Sequence, residues 1–172
     1  MKKTAVNKIV TAALLISISV VLGRFCVIYI TPSLRINFGN IPIMLAGLVL
    51  GPVYGALAGA GADIVGSVFL SGLGWYPPLT VSAAVMGLIP GLMSRFVTER
   101  PSALRTAAAV FLSDLCGPIL WTTFWLSKLY NTPIWTLAAV RVPLYIGMAV
   151  LESAVLFVII KAILREKKEQ YI

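Results

Sequence analysis

Six apolar stretches follow one another along the chain, each closed by a proline, a glycine-proline pair or a cluster of polar residues. The first is predicted to be a helix over roughly 8–30, stopping at Thr31-Pro32, where proline's fixed φ and missing N–H donor end a helix. A polar loop, Ser33 to Asn40, leads to a short apolar helix at 41–50, which Gly51-Pro52 terminates. Four more helices are expected at 53–70, 79–97, 104–130 and 135–163, with Pro90 kinking the fourth. The loop Ser71 to Pro78 carries Trp75 and Tyr76, a basic loop runs from Arg95 to Arg105, and Asn131-Thr132-Pro133 makes the last turn. Between Arg35 and Arg95 the only charged residue is Asp63. A surface facing water needs charge, so this stretch belongs in a bilayer.

Composition agrees: 59% of the 172 residues are hydrophobic and 12% charged, against roughly half and about a quarter in soluble domains. That length provides about six spans of ~20 residues and little besides. The expected fold is an all-α membrane protein, a compact six-transmembrane-helix bundle forming one domain over 1–172. The opening Met1-Lys2-Lys3 imitates a secretory signal, but the apolar run behind it is too long and has no small-residue cleavage site, so a retained first helix is expected.

The net charge of +8 would suggest nucleic acid in a soluble protein; its placement points elsewhere. Ten of the fourteen Lys and Arg residues fall in three clusters: Lys2, Lys3 and Lys8; Arg95, Arg100 and Arg105; and Lys161, Arg165, Lys167 and Lys168. Alternating crossings put all three clusters on the cytoplasmic side when both termini are cytoplasmic. The absence of histidine removes the commonest acid-base catalyst and metal ligand. Cys26 and Cys116 show no metal-ligand spacing. No glycine-rich phosphate loop is present, so energy for active transport must come from elsewhere. We therefore expect no catalytic residues, no metal site and no cofactor in this chain.

Small residues four apart mark close helix contacts: Gly47 and Gly51, Gly55 and Gly59, Ala58 and Ala62, and Gly87 and Gly91. Ala13 and Ser17 form a similar patch on the first helix, suited to internal packing or to docking another membrane protein. Four cations stand outside the clusters: Arg24, Arg35, Lys128 and Arg141. At 1.5 Å per residue, Arg24 lies ~24 Å above the inner start of helix 1 and Arg141 ~9 Å below the outer start of helix 6. With Arg35 in the outer loop, all three arginines are expected in the outer third of the bundle, near Trp75, Tyr76 and Trp121. An arginine at membrane depth costs at least ~2.5 kcal/mol, so this grouping calls for an anion, a polar cavity or internal ion pairs with Asp63 or Asp114. An anionic, aromatic solute in an outward pocket accounts for both cations and aromatics. The binding candidates are Arg24, Arg35 and Arg141, the polar residues Asn37, Asp63 and Thr80, and the rings of Trp75, Tyr76 and Trp121.

The run Leu34-Arg35-Ile36-Asn37-Phe38-Gly39-Asn40-Ile41-Pro42-Ile43, with Gly51-Pro52-Val53-Tyr54-Gly55-Ala56 and Gly61-Ala62-Asp63-Ile64-Val65-Gly66, resembles the substrate-binding S components of energy-coupling factor (ECF) vitamin transporters. With Trp75-Tyr76-Pro77-Pro78-Leu79-Thr80, Gly87-Leu88-Ile89-Pro90-Gly91 and Arg141-Val142-Pro143, the likeness is strongest to their folate-specific branch. The resemblance implies a multi-pass subunit of the bacterial cytoplasmic membrane that captures folate outside. It further implies a transmembrane coupling protein and two cytosolic ATPases as partners, which use ATP while the subunit topples to face the cytoplasm. The segment 31–40 would serve as a lid. Members of the family often carry Ala-x-x-x-Ala on helix 1, where this chain has Ala13 and Ser17. Folate's carboxylates suit arginine forks, its rings suit Trp75, Tyr76 and Trp121, and its pterin edge suits a carboxylate such as Asp63. Pantothenate and riboflavin are the alternative vitamins, and a small intramembrane enzyme or scaffold is the alternative class.

Overall fold

A computed structural model describes residues 5–31, 34–70, 74–99 and 101–169, with the backbone alone for 27–31, 34–35 and 167–169. Helix α1 (Ala5–Phe25) is followed by strands β1 (Val27–Thr31) and β2 (Leu34–Asn37), then helices α2 (Asn40–Leu50), α3 (Pro52–Leu70), α4 (Pro77–Leu92) and the short α5 (Ser94–Thr98). Helix α6 (Ala103–Asp114) passes through a π-helical segment (Leu115–Thr122) into α7 (Thr123–Tyr130), and α8 (Ile134–Glu169) completes the chain. Four spans are long and apolar enough to cross a membrane: α1, α3, the continuous 103–130 helix and α8. The chain is a helical membrane protein. Its lipid-facing surface is apolar, as on α1, where Val6, Ile9, Val10, Leu14 and Ile18 are exposed.

The first helix is shorter than the sequence suggested. It ends at Phe25, and the segment read as its last turn and an irregular loop is an antiparallel hairpin, pairing Val27 with Asn37, Ile28 with Ile36 and Tyr29 with Arg35. The physical reason lies in Val27-Ile28-Tyr29-Ile30-Thr31, whose β-branched and aromatic residues favour an extended backbone. The fourth predicted helix is likewise two pieces, α4 and α5, broken at Met93 beyond the buried Pro90.

Helix α2 has 11 residues, about 16 Å of helix, too short to cross ~30 Å of hydrocarbon. It instead forms part of the interior, with Ile43, Met44, Ala46 and Leu48 buried against α1, α3 and α4. Backbones approach closely along this seam. A Cβ at Gly55 would collide with the Gly87 carbonyl, one at Gly87 with the Gly55 carbonyl, and one at Gly59 with the Ala83 carbonyl. Gly47 and Gly91 meet the same seam through Gly87 and Pro52. Gly51 differs from the expected pairing with Gly47: at φ 100° it is the turn between α2 and α3, and no atom lies within 4 Å of where its Cβ would be.

Such contacts matter in lipid because apolar burial alone does not favour helix association. Gly87→Ala is expected to destabilise the protein by about 1–3 kcal/mol through overpacking, read as a lower melting temperature in detergent. Gly147→Ala in α8, where nothing lies within 4 Å of the new Cβ, is expected to be neutral or stabilising by up to about 1 kcal/mol.

Candidate functional site

The seam between α3 and α4 fixes a polar chain. Asp63 lies one turn beyond Gly59 on α3, and Thr80 lies one turn before Ala83 on α4. The Thr80 hydroxyl donates to Asp63 Oδ2 at 2.7 Å and accepts from Trp75 Nε1 at 2.8 Å. One hydroxyl thus ties the segment before α4 to a carboxylate on α3. Charge-assisted bonds of this type are the stronger kind and hold geometry well.

Asp63 also lines a cavity of about 70 Å³ beneath the hairpin. Its walls include Arg24 from α1, Asn37 from the end of β2, Asn40 from α2 and Met86 from α4. The Arg24 guanidinium packs over Gly66, within 2.7 Å of where a Cβ would stand, so any larger residue there would displace it. At the other rim Asn37 Oδ1 accepts from the Gly39 N–H at 2.8 Å, and Ser19 Oγ donates to the Gly39 carbonyl at 2.7 Å. Those bonds clamp the hairpin's second strand to α1 and α2. The cavity therefore joins a cation, a carboxylate and two amide side chains under one small sheet.

Aromatic side chains gather beside it. Trp121 Nε1 donates to the Pro78 carbonyl at 2.8 Å, which attaches the π-helical segment to the start of α4. Trp121 and Trp125 lie 6.1 Å apart by ring centroids, and Tyr76 meets Trp125 edge-on at 6.5 Å. The Trp125 indole N–H is enclosed with no acceptor. Lys128 lies over the rings of Phe124 and Trp125 at 4.6 and 5.4 Å.

Of the nine binding candidates, Arg24, Asn37 and Asp63 line the cavity, and Trp75 and Thr80 are bonded to Asp63 through the polar chain. Tyr76 and Trp121 belong to the aromatic group. Arg141 stands apart from the cavity lining. It is 5% exposed, with Nε donating to Thr123 Oγ1 at 3.1 Å and Nη2 to the Pro118 carbonyl at 3.0 Å, and its guanidinium lies 5.2 Å from the Tyr145 ring. The Pro118 carbonyl, within the π-helical segment, accepts from the Thr123 hydroxyl at 3.3 Å as well as from Arg141. The Arg35 backbone is in β2 opposite Tyr29, and its side chain lies outside the described residues. Of the lid segment 31–40, residues 32 and 33 also lie outside them. Ala13 and Ser17 are exposed on the outer face of α1, with the Ser17 hydroxyl donating to the Ala13 carbonyl at 3.0 Å. Sequence reasoning did not single out Ser19, Gly39 or Asn40, whose only local sign is a glycine and an amide directly before an apolar helix.

A larger cavity of about 380 Å³ sits at the other end of the bundle, lined by residues including Leu48, Thr98, Glu99 and Ile160. Among the described residues no aromatic ring and no cation line it, and the charged one in its wall, Glu99, is acidic. Its chemistry suits neither an anion nor a flat ring.

Residues 3–166 match the family model described as ECF-type riboflavin transporter, S component. The folate transporter FolT of Clostridium novyi (strain NT) is 31% identical over 141 residues, covering 82% of this chain and 79% of that protein. FolT of Streptococcus mutans serotype c is 28% identical, covering 77% and 74%. Among solved structures, FolT bound with folic acid superposes with a TM-score of 0.78 at 26% identity, over 90% of this chain and 92% of that one. The S component for biotin from an ECF-type ABC transporter superposes at 0.68 and 20% identity, over 98% and 94%, a likeness of fold. A match across nearly the whole chain, together with four helices of membrane-spanning length, makes this chain a multi-pass cell-membrane transport subunit, not an enzyme, and a member of the S components of ECF-type transporters.

Proposed function

We propose that this S component binds folate from outside the cell and presents it to an ECF coupling module. The observation that carries the reading is the cavity beneath the hairpin, where Arg24 and Asp63 stand on facing helices and Asp63 is tied to Trp75 through Thr80. A carboxylate accepts from the donor edge of a pterin, guanidinium groups take the glutamate carboxylates, and the indole and phenol rings stack the flat portions. The relatives named as folate transporters, and the superposition on a folate-bound one, support the same vitamin. Riboflavin, named by the family model, carries no carboxylate to meet an arginine.

A folate-sized ligand needs a pocket of roughly 300 Å³ or more, well above the 70 Å³ now enclosed. Binding therefore requires the hairpin to lift as a lid, with the clamp at Asn37, Gly39 and Ser19 as its inner hinge. Energy comes from ATP consumed by two ATPase partners, passed on through a transmembrane coupling protein. Ala13 and Ser17, exposed on α1 away from the cavity lining, form the surface on which that protein docks.

Calorimetric titration with folate tests the reading. Wild type is expected to bind, while Arg24→Ala and Arg35→Ala each weaken binding by roughly 1.5–3 kcal/mol, the cost of a lost charge-assisted contact; unchanged affinity removes that arginine from the site. Thr80→Val is expected to weaken binding about tenfold and to shift the Trp75 fluorescence, because the valine neither accepts from the indole nor donates to Asp63. Ala13→Trp is expected to keep folate binding and to lose uptake in cells that contain the full transporter; preserved uptake would move the docking surface elsewhere.

A further inference from the structure

Behind the cavity wall, a carboxyl group stands where apolar packing would have been easier. Glu152 lies in the middle of α8 and is 0% exposed, in a stripe that also buries Met148, Ala149, Leu156 and Ile160. An acidic residue inside a spanning helix is costly, so its contact is informative. That contact reaches across the bundle: Glu152 Oε1 accepts from Asn40 Nδ2 at 3.2 Å. Asn40 opens α2, whose N-terminus has no side-chain cap. Its amide is given to α8 instead of to its own helix.

The bond decides which end of the Asn40 amide meets the cavity. With Glu152 as acceptor, the NH2 end is held on the α8 side, and the carbonyl oxygen is the end left for the cavity that Asn40 lines. Asn37 is held in the opposite sense. Its Oδ1 accepts from the Gly39 N–H, which leaves the NH2 end for the same cavity. Asn40 and Asp63 therefore supply acceptors, and Asn37 and Arg24 supply donors. Because the anchor of Asn40 is on α8 and not on the hairpin, its carbonyl keeps its place when the hairpin lifts.

A pterin edge carries three donor hydrogens, one on the ring nitrogen and two on the amino group. A carboxylate with two oxygens takes the ring N–H and one amino hydrogen side by side; the second amino hydrogen points away and needs another acceptor. Resting on the folate reading above, we propose that the Asn40 carbonyl is that second acceptor, so that Asn40 determines selectivity for the amino group and Glu152 is the residue that positions it. Asp63 and Asn40 line one cavity of about 70 Å³, close enough for a single amino group to meet both. Without Glu152 the amide is free to turn, and an NH2 facing an NH2 forms no bond.

The test is calorimetric titration of the full chain in detergent with folate and with a folate analogue that carries methyl in place of the 2-amino group. Wild type is expected to bind folate about a hundredfold more tightly than the analogue, which lacks both amino contacts. Asn40→Leu and Glu152→Met are each expected to cut that ratio to about tenfold, by weakening folate and sparing the analogue. Glu152→Gln, whose amide oxygen still accepts from Asn40, is expected to keep the wild-type ratio. A contact that served packing alone would weaken both ligands together. An unchanged ratio in Asn40→Leu or Glu152→Met therefore overturns the proposal, as does a wild type that holds the analogue as tightly as folate, or a Glu152→Gln that behaves like Glu152→Met. Folate bound with an unchanged ratio removes this assignment alone, whereas a wild type that binds neither ligand removes the folate reading and the assignment with it. Should the apolar variants fail to fold, Asn40→Ser and Glu152→Ser, each polar but too short to span the contact, carry the comparison with the same expected ratios.

Discussion

The close approach of α3 to α4 is the contact on which the site depends. Lipid gives two apolar helices little reason to associate, so attraction must come from atoms in direct contact and from polar groups that find each other. Gly55 against Gly87 and Gly59 against Ala83 remove the side chains that would hold the backbones apart. Only at that spacing does the short Thr80 side chain reach Asp63. Widening the seam by one methyl group would break the bond and release Trp75 from its anchor on Thr80.

A second constraint follows from the surrounding hydrocarbon: a polar side chain at depth needs an internal answer. The chain supplies several kinds. Asp63 receives a hydroxyl, Arg141 receives the Pro118 carbonyl of the π-helical segment, and Glu152 receives an amide from a helix 112 residues away in sequence. Each answer joins two elements that apolar packing alone would leave free to slide. Polar economy and fold specificity are therefore the same problem in this bundle, and the cavity lined by Arg24, Asn37, Asn40 and Asp63 is where a cation, a carboxylate and amides from several elements come together.

Much of this was legible in the sequence. The punctuated apolar runs mark the helices, and the four-residue spacing of Gly55 with Gly59 and of Gly87 with Gly91 marks the seam. Asp63, the one charged residue between Arg35 and Arg95, stands out as a candidate by its isolation, since a charge at membrane depth is costly. The hairpin escaped because Val27 to Thr31 continues an apolar run, and apolarity without alternation does not separate a strand from the end of a helix. Gly51 escaped because a turn and a packing face both call for glycine. The acceptors of Arg141 were not legible, since the π-helical segment that provides one leaves no periodic trace. The Asn40 to Glu152 bond had no local signal at all, being set by how α2 and α8 meet in space.

The central claim is that guanidinium, carboxylate and aromatic groups under and beside the hairpin select a flat, anionic vitamin. Mass spectrometry of the small molecule retained by the protein when it is purified from cells tests this most directly. The account predicts a folate, held in about equal amount to the protein and lost from Arg24→Ala. A retained flavin or biotin, or a folate held as firmly by Arg24→Ala as by wild type, would contradict it.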